Sequence, residues 1–194
     1  MPKKQIQLFS LSLVPIQLSV HNPREDGNVN EGMNAVNFFS FSGTVIAIED
    51  FMAGNGEGCQ QLMSVQNEQG EVVNFVITPM TYFVDHAMVL IGDRVTGYYD
   101  GDAPAILIYP PQYQALVIVK ESPYQNVKVG YFDNQLVSSD GELMLNLSPY
   151  TAIILRNGQP FTRYPANRNL IVIYSSSTRS IPAQTTPSAV IVWC

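Results

Sequence analysis

Val73–Val119 reads VNFVITPMTYFVDHAMVLIGDRVTGYYDGDAPAILIYPPQYQALVIV, and Leu143–Val192 reads LMLNLSPYTAIILRNGQPFTRYPANRNLIVIYSSSTRSIPAQTTPSAVIV. Both open on an alternating apolar strand followed by a Pro and a Thr: Pro79 and Thr81, then Pro149 and Thr151. Both continue into a β-rich run ending in Tyr, at Tyr98 and Tyr99 and at Tyr174. Both close on Pro and Gln (Pro110, Pro111 and Gln112; Pro182 and Gln184) ahead of a β-branched strand, Ala115–Val119 and Ala189–Val192. A pattern written twice predicts two copies of one small β unit. It carries no information about a reaction.

Composition narrows the class. Hydrophobic residues make up 46% of the 194 residues, enough to build real cores, while charged residues are only 13%. That is about half the usual charged share, so much of the surface is neutral polar or apolar. A β protein short of charge lacks the usual guard on its strand edges, which favours self-association. The net charge of −6, with ten scattered Lys and Arg, argues against nucleic acid. No run approaches the roughly 20 apolar residues of a membrane-spanning helix.

No segment sustains a helical period. Short strands alternate with turns every 8–12 residues or so, as in closed or partly closed barrels. Val72–Ile77 pairs across NEQGE as a hairpin. TYFVDHAMVLIGD holds at most one helical turn. Asp133–Asn134 and Asn157–Gly158 read as two-residue turns, the second with both residues at positive φ. The expected fold is all-β: an extended arm and linker over residues 1–37, a first small OB-like barrel unit over 38–122, and a second over 123–194. In the arm, apolar residues alternate in three stretches, Ile6 and Leu8, then Leu11 and Leu13, then Ile16, Leu18 and Val20, with Phe9 and Val14 shifting the phase as bulges would. Lys3 and Lys4 before an apolar run imitate a secretory leader. Gln7, Ser10, Ser12, Gln17 and Ser19 interrupt that run, and no small-residue cleavage site follows, so strand is the expectation.

The strings GDRVTGYYDG…YPPQYQALVIV and IVIYSSSTRSIPAQTTPSAVIV resemble a repeated β domain of Firmicutes proteins, some of them surface- or spore-associated. The resemblance covers about Ser42 to Val192. It implies an OB-like small barrel without established catalytic residues, and a spore or cell-surface setting.

Chemistry-bearing constellations are sparse. Asp100 and Asp102 flank Gly101, too few oxygens for a calcium loop. His21 and His86 are the two histidines; Asp85 precedes His86, but no nucleophile elbow or oxyanion donor accompanies them. Two histidines and two distant cysteines do not compose a structural zinc site. No metal, cofactor or catalytic residue is therefore expected. Cys59 and Cys194 stay reduced, pair within the chain, or pair between chains. Tyr99, Tyr109 and Tyr113, with Arg179, form the candidate binding face; Arg179 also reads as a clamp on its own loop. The expected function is a non-enzymatic structural subunit of a bacterial surface or spore-associated assembly. It would be joined into a homo-oligomer or filament through the seven arm residues acting as an added strand. The alternative is a monomeric module binding carbohydrate or peptide on the Tyr-rich face.

Overall fold

Apolar residues in this chain follow two patterns, and each builds a different kind of strand. The computed structural model describes residues 36–51, 58–104 and 106–194, and residues 33–194 pack as one unit. The arm residues Ile6 to Val20 lie outside the described residues. Burial alternates along β2 (Gln61–Gln66) and β3 (Val72–Ile77), and β1 (Phe38–Asp50) joins their buried face around Gly43 and Val45 before a register shift at Val45/Ala47. Their inward residues Val45, Met63, Val65, Val73, Phe75 and Ile77 share one core with Val95, Ala115 and Ile118.

The remaining strands of this set are β4 (Tyr82–Phe83), β5 (Arg94–Asp100), β6 (Gln112–Gln114) and β7 (Val117–Lys120). A single 3₁₀ turn, Val84–His86, follows β4. β1 pairs antiparallel with β2 and with β5, β2 with β3, and β5 with β7, while β3 pairs parallel with β6. Only Ala115 and Leu116 separate β6 from β7. The pairing therefore returns on itself: β1, β2, β3, β6–β7, β5, β1. β4 lies outside this circuit, parallel to β7.

The second set comprises β8 (Asn126–Phe132), β9 (Leu143–Leu145), β10 (Ala152–Leu155), β11 (Arg168–Tyr174), β12 (Ala183–Thr185) and β13 (Ala189–Val192). Its pairings repeat the first set's, sense for sense. β8 pairs antiparallel with β11 and β11 with β13, while β9 pairs parallel with β12 and β10 parallel with β13. Single bridges Phe132–Ser138 and Val137–Met144 stand where the first set has all of β2. The registers agree too. Val117 and Ile118 face Tyr82 and Phe83 as Ala189 and Val190 face Ala152 and Ile153. Val95 pairs with Gly43, and Leu170 with Gly130.

Continuous apolar runs mark strands buried on both faces. In NLIVIY, Leu170 and Val172 enter the second set's own core, with Phe132, Leu136, Leu143 and Val190. Ile171 and Ile173 turn the other way. They meet Val84, Val117 and Val119 of the first set, together with Val129 and Ile191. A third apolar cluster thus joins the two sets, and neither is an isolated bead.

Turn chemistry departs from expectation at two places. Asp133 and Asn134 are not a two-residue turn. The Asp133 carboxylate accepts the N–H groups of Gln135 and Val137 (2.8 and 2.9 Å), and Leu136 takes φ 60° while fully buried. Core burial overrides a left-handed conformation that costs an L-residue roughly 1–2 kcal/mol. At Asn157–Gly158 only Gly158 has positive φ (79°). Gly158 N–H donates to the Leu155 carbonyl at 2.9 Å, so the loop has three residues, with glycine at the bulge position.

Lys128 on β8 bridges two carboxylates. Its ammonium donates to the carboxylates of Asp140 and Glu142, the latter at 2.8 Å. Asp140 also accepts the Ser138 hydroxyl (2.6 Å) and the Glu142 N–H (3.1 Å). Partial burial raises the Asp140 carboxyl, but Lys128, Ser138 and the Glu142 N–H outweigh it and bring it from 3.8 down to about 2. A folded-state value below the unfolded one contributes stability above pH 3.8 that is lost as pH falls through 2. Because the Asp140 side chain is 43% exposed, solvent screening leaves about 1 kcal/mol of this. Asp140→Asn is expected to flatten the acid limb of the urea-midpoint curve between pH 4 and 2. A limb unchanged in this variant would refute the assignment.

Candidate functional site: an apolar groove beside an uncovered strand edge

Both sets hold their outlying strand by the same device. Thr81 Oγ1 accepts the Thr78 N–H (3.0 Å) and donates to the Ala115 carbonyl (2.8 Å). Thr151 Oγ1 accepts the Ser148 N–H (3.2 Å) and donates to the Pro187 carbonyl (2.8 Å). Each hydroxyl is buried and satisfied on both sides, so β4 and β10 start from fixed points. These are the threonines that follow Pro79 and Pro149. Beyond them the two sets diverge.

β10 continues to Leu155, and the loop through Gly158 brings the chain back along its outer edge. Leu155 N–H donates to the Gln159 carbonyl (2.8 Å), and Phe161 N–H to the Ile153 carbonyl (3.0 Å). β4 stops after two residues. Asp85 and His86 take left-handed φ of 57° and 50°, turning the chain away. Tyr82 N–H donates to the Leu116 carbonyl on the β7 side (2.9 Å). By strand alternation the backbone of Phe83 then faces outward. No described residue outside the strand ladders donates to it there.

Beside that edge lies a groove of about 860 Å³. Its wall from the first set includes Ile77, Met80, Phe83 and Met88; Leu155 and Val192 close it from the second. Met80 and Met88 are 70% and 78% exposed, and Leu90 and Ile91 are exposed close by in the chain. Arg156 is the charged side chain lining the groove, and its guanidinium is engaged, 4.1 Å over the Trp193 ring. Flexible thioethers on an open apolar wall suit a surface that repacks around a guest.

The chain matches no protein-family model, no curated protein and no solved structure.

The residues singled out from sequence are scattered. Tyr99 and Tyr113 stack on one another, ring centres 4.0 Å apart and 12° from parallel, against the first core. Each ring thereby covers a face of the other, and burial raises the Tyr99 phenol above its ordinary value. Tyr98 points the opposite way, into the cluster between the sets. Tyr109 is 87% exposed. Arg179 is exposed, and the clamp on its loop is made by its neighbours. Thr178 Oγ1 accepts the Gln184 N–H (2.8 Å), and Ser180 Oγ donates to the Pro182 carbonyl (2.7 Å). Of the four residues of the candidate binding face, Tyr99 and Tyr113 stack on each other, while Tyr109 and Arg179 are exposed.

Asp85 accepts Gln125 Nε2 at 2.7 Å, and His86 meets the Tyr82 ring edge-on at 5.9 Å. Asp100 accepts the Asp102 N–H (3.1 Å), the contact of an ordinary turn. Among the described residues no three His, Cys, Asp or Glu side chains converge as metal ligands. Cys59 and Cys194 are exposed and unbonded within the chain; Cys194 lines the groove.

Sequence reading missed the groove. Its walls come from both sets, and Met80 and Met88 sit in stretches assigned to no strand, Met80 between Pro79 and Thr81 and Met88 in TYFVDHAMVLIGD. The available signal was the pair PMTY and PYTA, where Met80 and Tyr150 stand at matching positions ahead of the threonine and both are exposed.

Proposed function

We propose that this chain is a non-enzymatic structural subunit of a bacterial surface or spore-associated assembly, built of two copies of one OB-like barrel and joined to its neighbours through the N-terminal strand. The barrel reading is supported by the circuit of pairings in the first set and by the same pairing senses in the second, where single bridges stand in for β2 and β9–β12 form a separate two-stranded sheet.

The observation that carries the assembly reading is the amount of large apolar side chain left in water. Met80, Met88, Leu90, Ile91, Leu107, Tyr109, Tyr124, Tyr150 and Ile181 are each more than half exposed. Tyr109 and Ile181 hold matching places, each just before a cis proline. Exposed apolar surface on this scale suits contact with other protein. The arm suits the same end. Its seven aliphatic residues at about 1.5–3 kcal/mol each supply on the order of 10 kcal/mol when buried, before ordering costs.

The test is light scattering coupled to size-exclusion chromatography. The full chain is expected to elute as species well above its 21.5 kDa. Removal of residues 1–20 is expected to return it to monomer with its melting transition intact. A truncated chain that keeps the same oligomer size would remove the arm from the role of connector.

A further inference from the structure

We infer that the outer edge of β4 and the groove beside it form a strand-accepting site, and that its occupant is the N-terminal strand of a second copy of this chain. This rests on the assembly reading above and adds to it the place where the arm is received.

The two sets act as each other's control. Phe83 and Ile153 hold the same register against their parallel neighbours, at Ile118 and Val190. In the second set the Ile153 carbonyl receives the Phe161 N–H from the chain's own returning segment. In the first set the chain turns away at Asp85 and His86, and an open apolar groove lies beside the edge. The same fold thus fills this edge in one copy, whereas in the other no described residue outside the strand ladders donates to it. A guest that restores the pattern must be an extended segment. It must offer backbone N–H groups to Phe83 and apolar side chains to the wall of Met80, Met88 and Ile77. That is the chemistry of strand addition, in which main-chain bonds supply affinity and alternate side chains fill pockets.

The arm has this chemistry. Ile6, Leu8, Leu11, Leu13, Ile16, Leu18 and Val20 fall in three alternating stretches, and bulges at Phe9 and Val14 would bring them to one side. Residues 1–20 contain Lys3 and Lys4 and no Asp or Glu. Receiving a neighbour's arm while donating its own makes the contact heterologous, so it propagates as a ring or a fibre.

Two measurements on the full-length chain test the site. A photo-crosslinking phenylalanine analogue is placed at Met88 in an equal mixture of ¹⁴N- and ¹⁵N-labelled chains, and the adducts are read by mass spectrometry. Adducts to peptides within residues 5–20, in mixed-isotope pairs, are expected. Adducts elsewhere, or only within one chain, would overturn the proposal. Separately, Met80→Glu with Met88→Glu is expected to weaken association at least tenfold. Because both side chains already lie in water, the melting transition should hold. If removal of residues 1–20 disperses the assembly but the double glutamate variant does not, the arm reading stands and this acceptor is wrong. If the truncation leaves the assembly intact, the arm reading itself fails.

Discussion

Gly43→Ala is expected to destabilise the protein by about 1–3 kcal/mol, whereas Gly130→Ala should leave it unchanged or slightly more stable. The two glycines occupy one register: Gly43 faces Val95, and Gly130 faces Leu170. Their surroundings differ because the hairpins that follow differ in length. β1 runs on to Asp50, and β2 returns along it to Gln66. Around Gly43, β1 passes from pairing with β5 to pairing with β2; Thr44 pairs with both Arg94 and Gln66. A Cβ at Gly43 would lie 2.3 Å from the Gln66 carbonyl oxygen and 2.9 Å from the Asn67 nitrogen. Those atoms are backbone, so the strand itself would have to shift. β8 instead ends at Phe132 and turns at once, and a Cβ at Gly130 would meet nothing within 4 Å. Thermal denaturation decides between the two, at roughly 2–4 °C per kcal/mol for a chain of this size. Equal losses at both positions would mean that the shared register does not carry the difference in packing claimed for it.

The all-β architecture was legible because alternation and turn residues are local signals. MSV in β2 and VNFVI in β3 place their inward residues by period alone, and the NEQGE hairpin connects them. The cluster between the sets was written in the runs VIV, LIVI and VIV, which have no polar face to spare. What stayed illegible depends on contacts distant in sequence. Leu136 at φ 60° breaks a local rule for the sake of a core that no window around it reveals. Tyr99 and Tyr113 looked like an exposed pair because each ends a run beside turn residues; only the closure of β6 onto β3 brings them face to face. The groove depends on what is missing beside β4. A sequence displays Asp85 and His86 but not the edge that their left-handed turn uncovers.

Ile171→Ala should cost about 2–5 kcal/mol and lower the stability of both sets together. Ile171 is fully buried on β11, and its side chain leaves the second set's own core to meet Val84, Val117 and Val119 across the shared cluster. The chain entering the first set is tied to the second as well. Asn169 Nδ2 donates to the Val36 carbonyl (3.2 Å), and Phe38 packs edge-on against Trp193 at 5.4 Å. With an apolar cluster drawn from both sets and anchors at the entry point, unfolding one set exposes the other's buried face. That exposure couples the two transitions. Trp193 fluorescence reports on the end of β13, and amide exchange across Gln61–Ile77 reports on β2 and β3. In the wild type and in Ile171→Ala the two probes are expected to give one shared midpoint, displaced in the variant. If Trp193 melts early in the variant while exchange in β2 and β3 is unmoved, the sets are energetically separate and the cluster between them is mere contact.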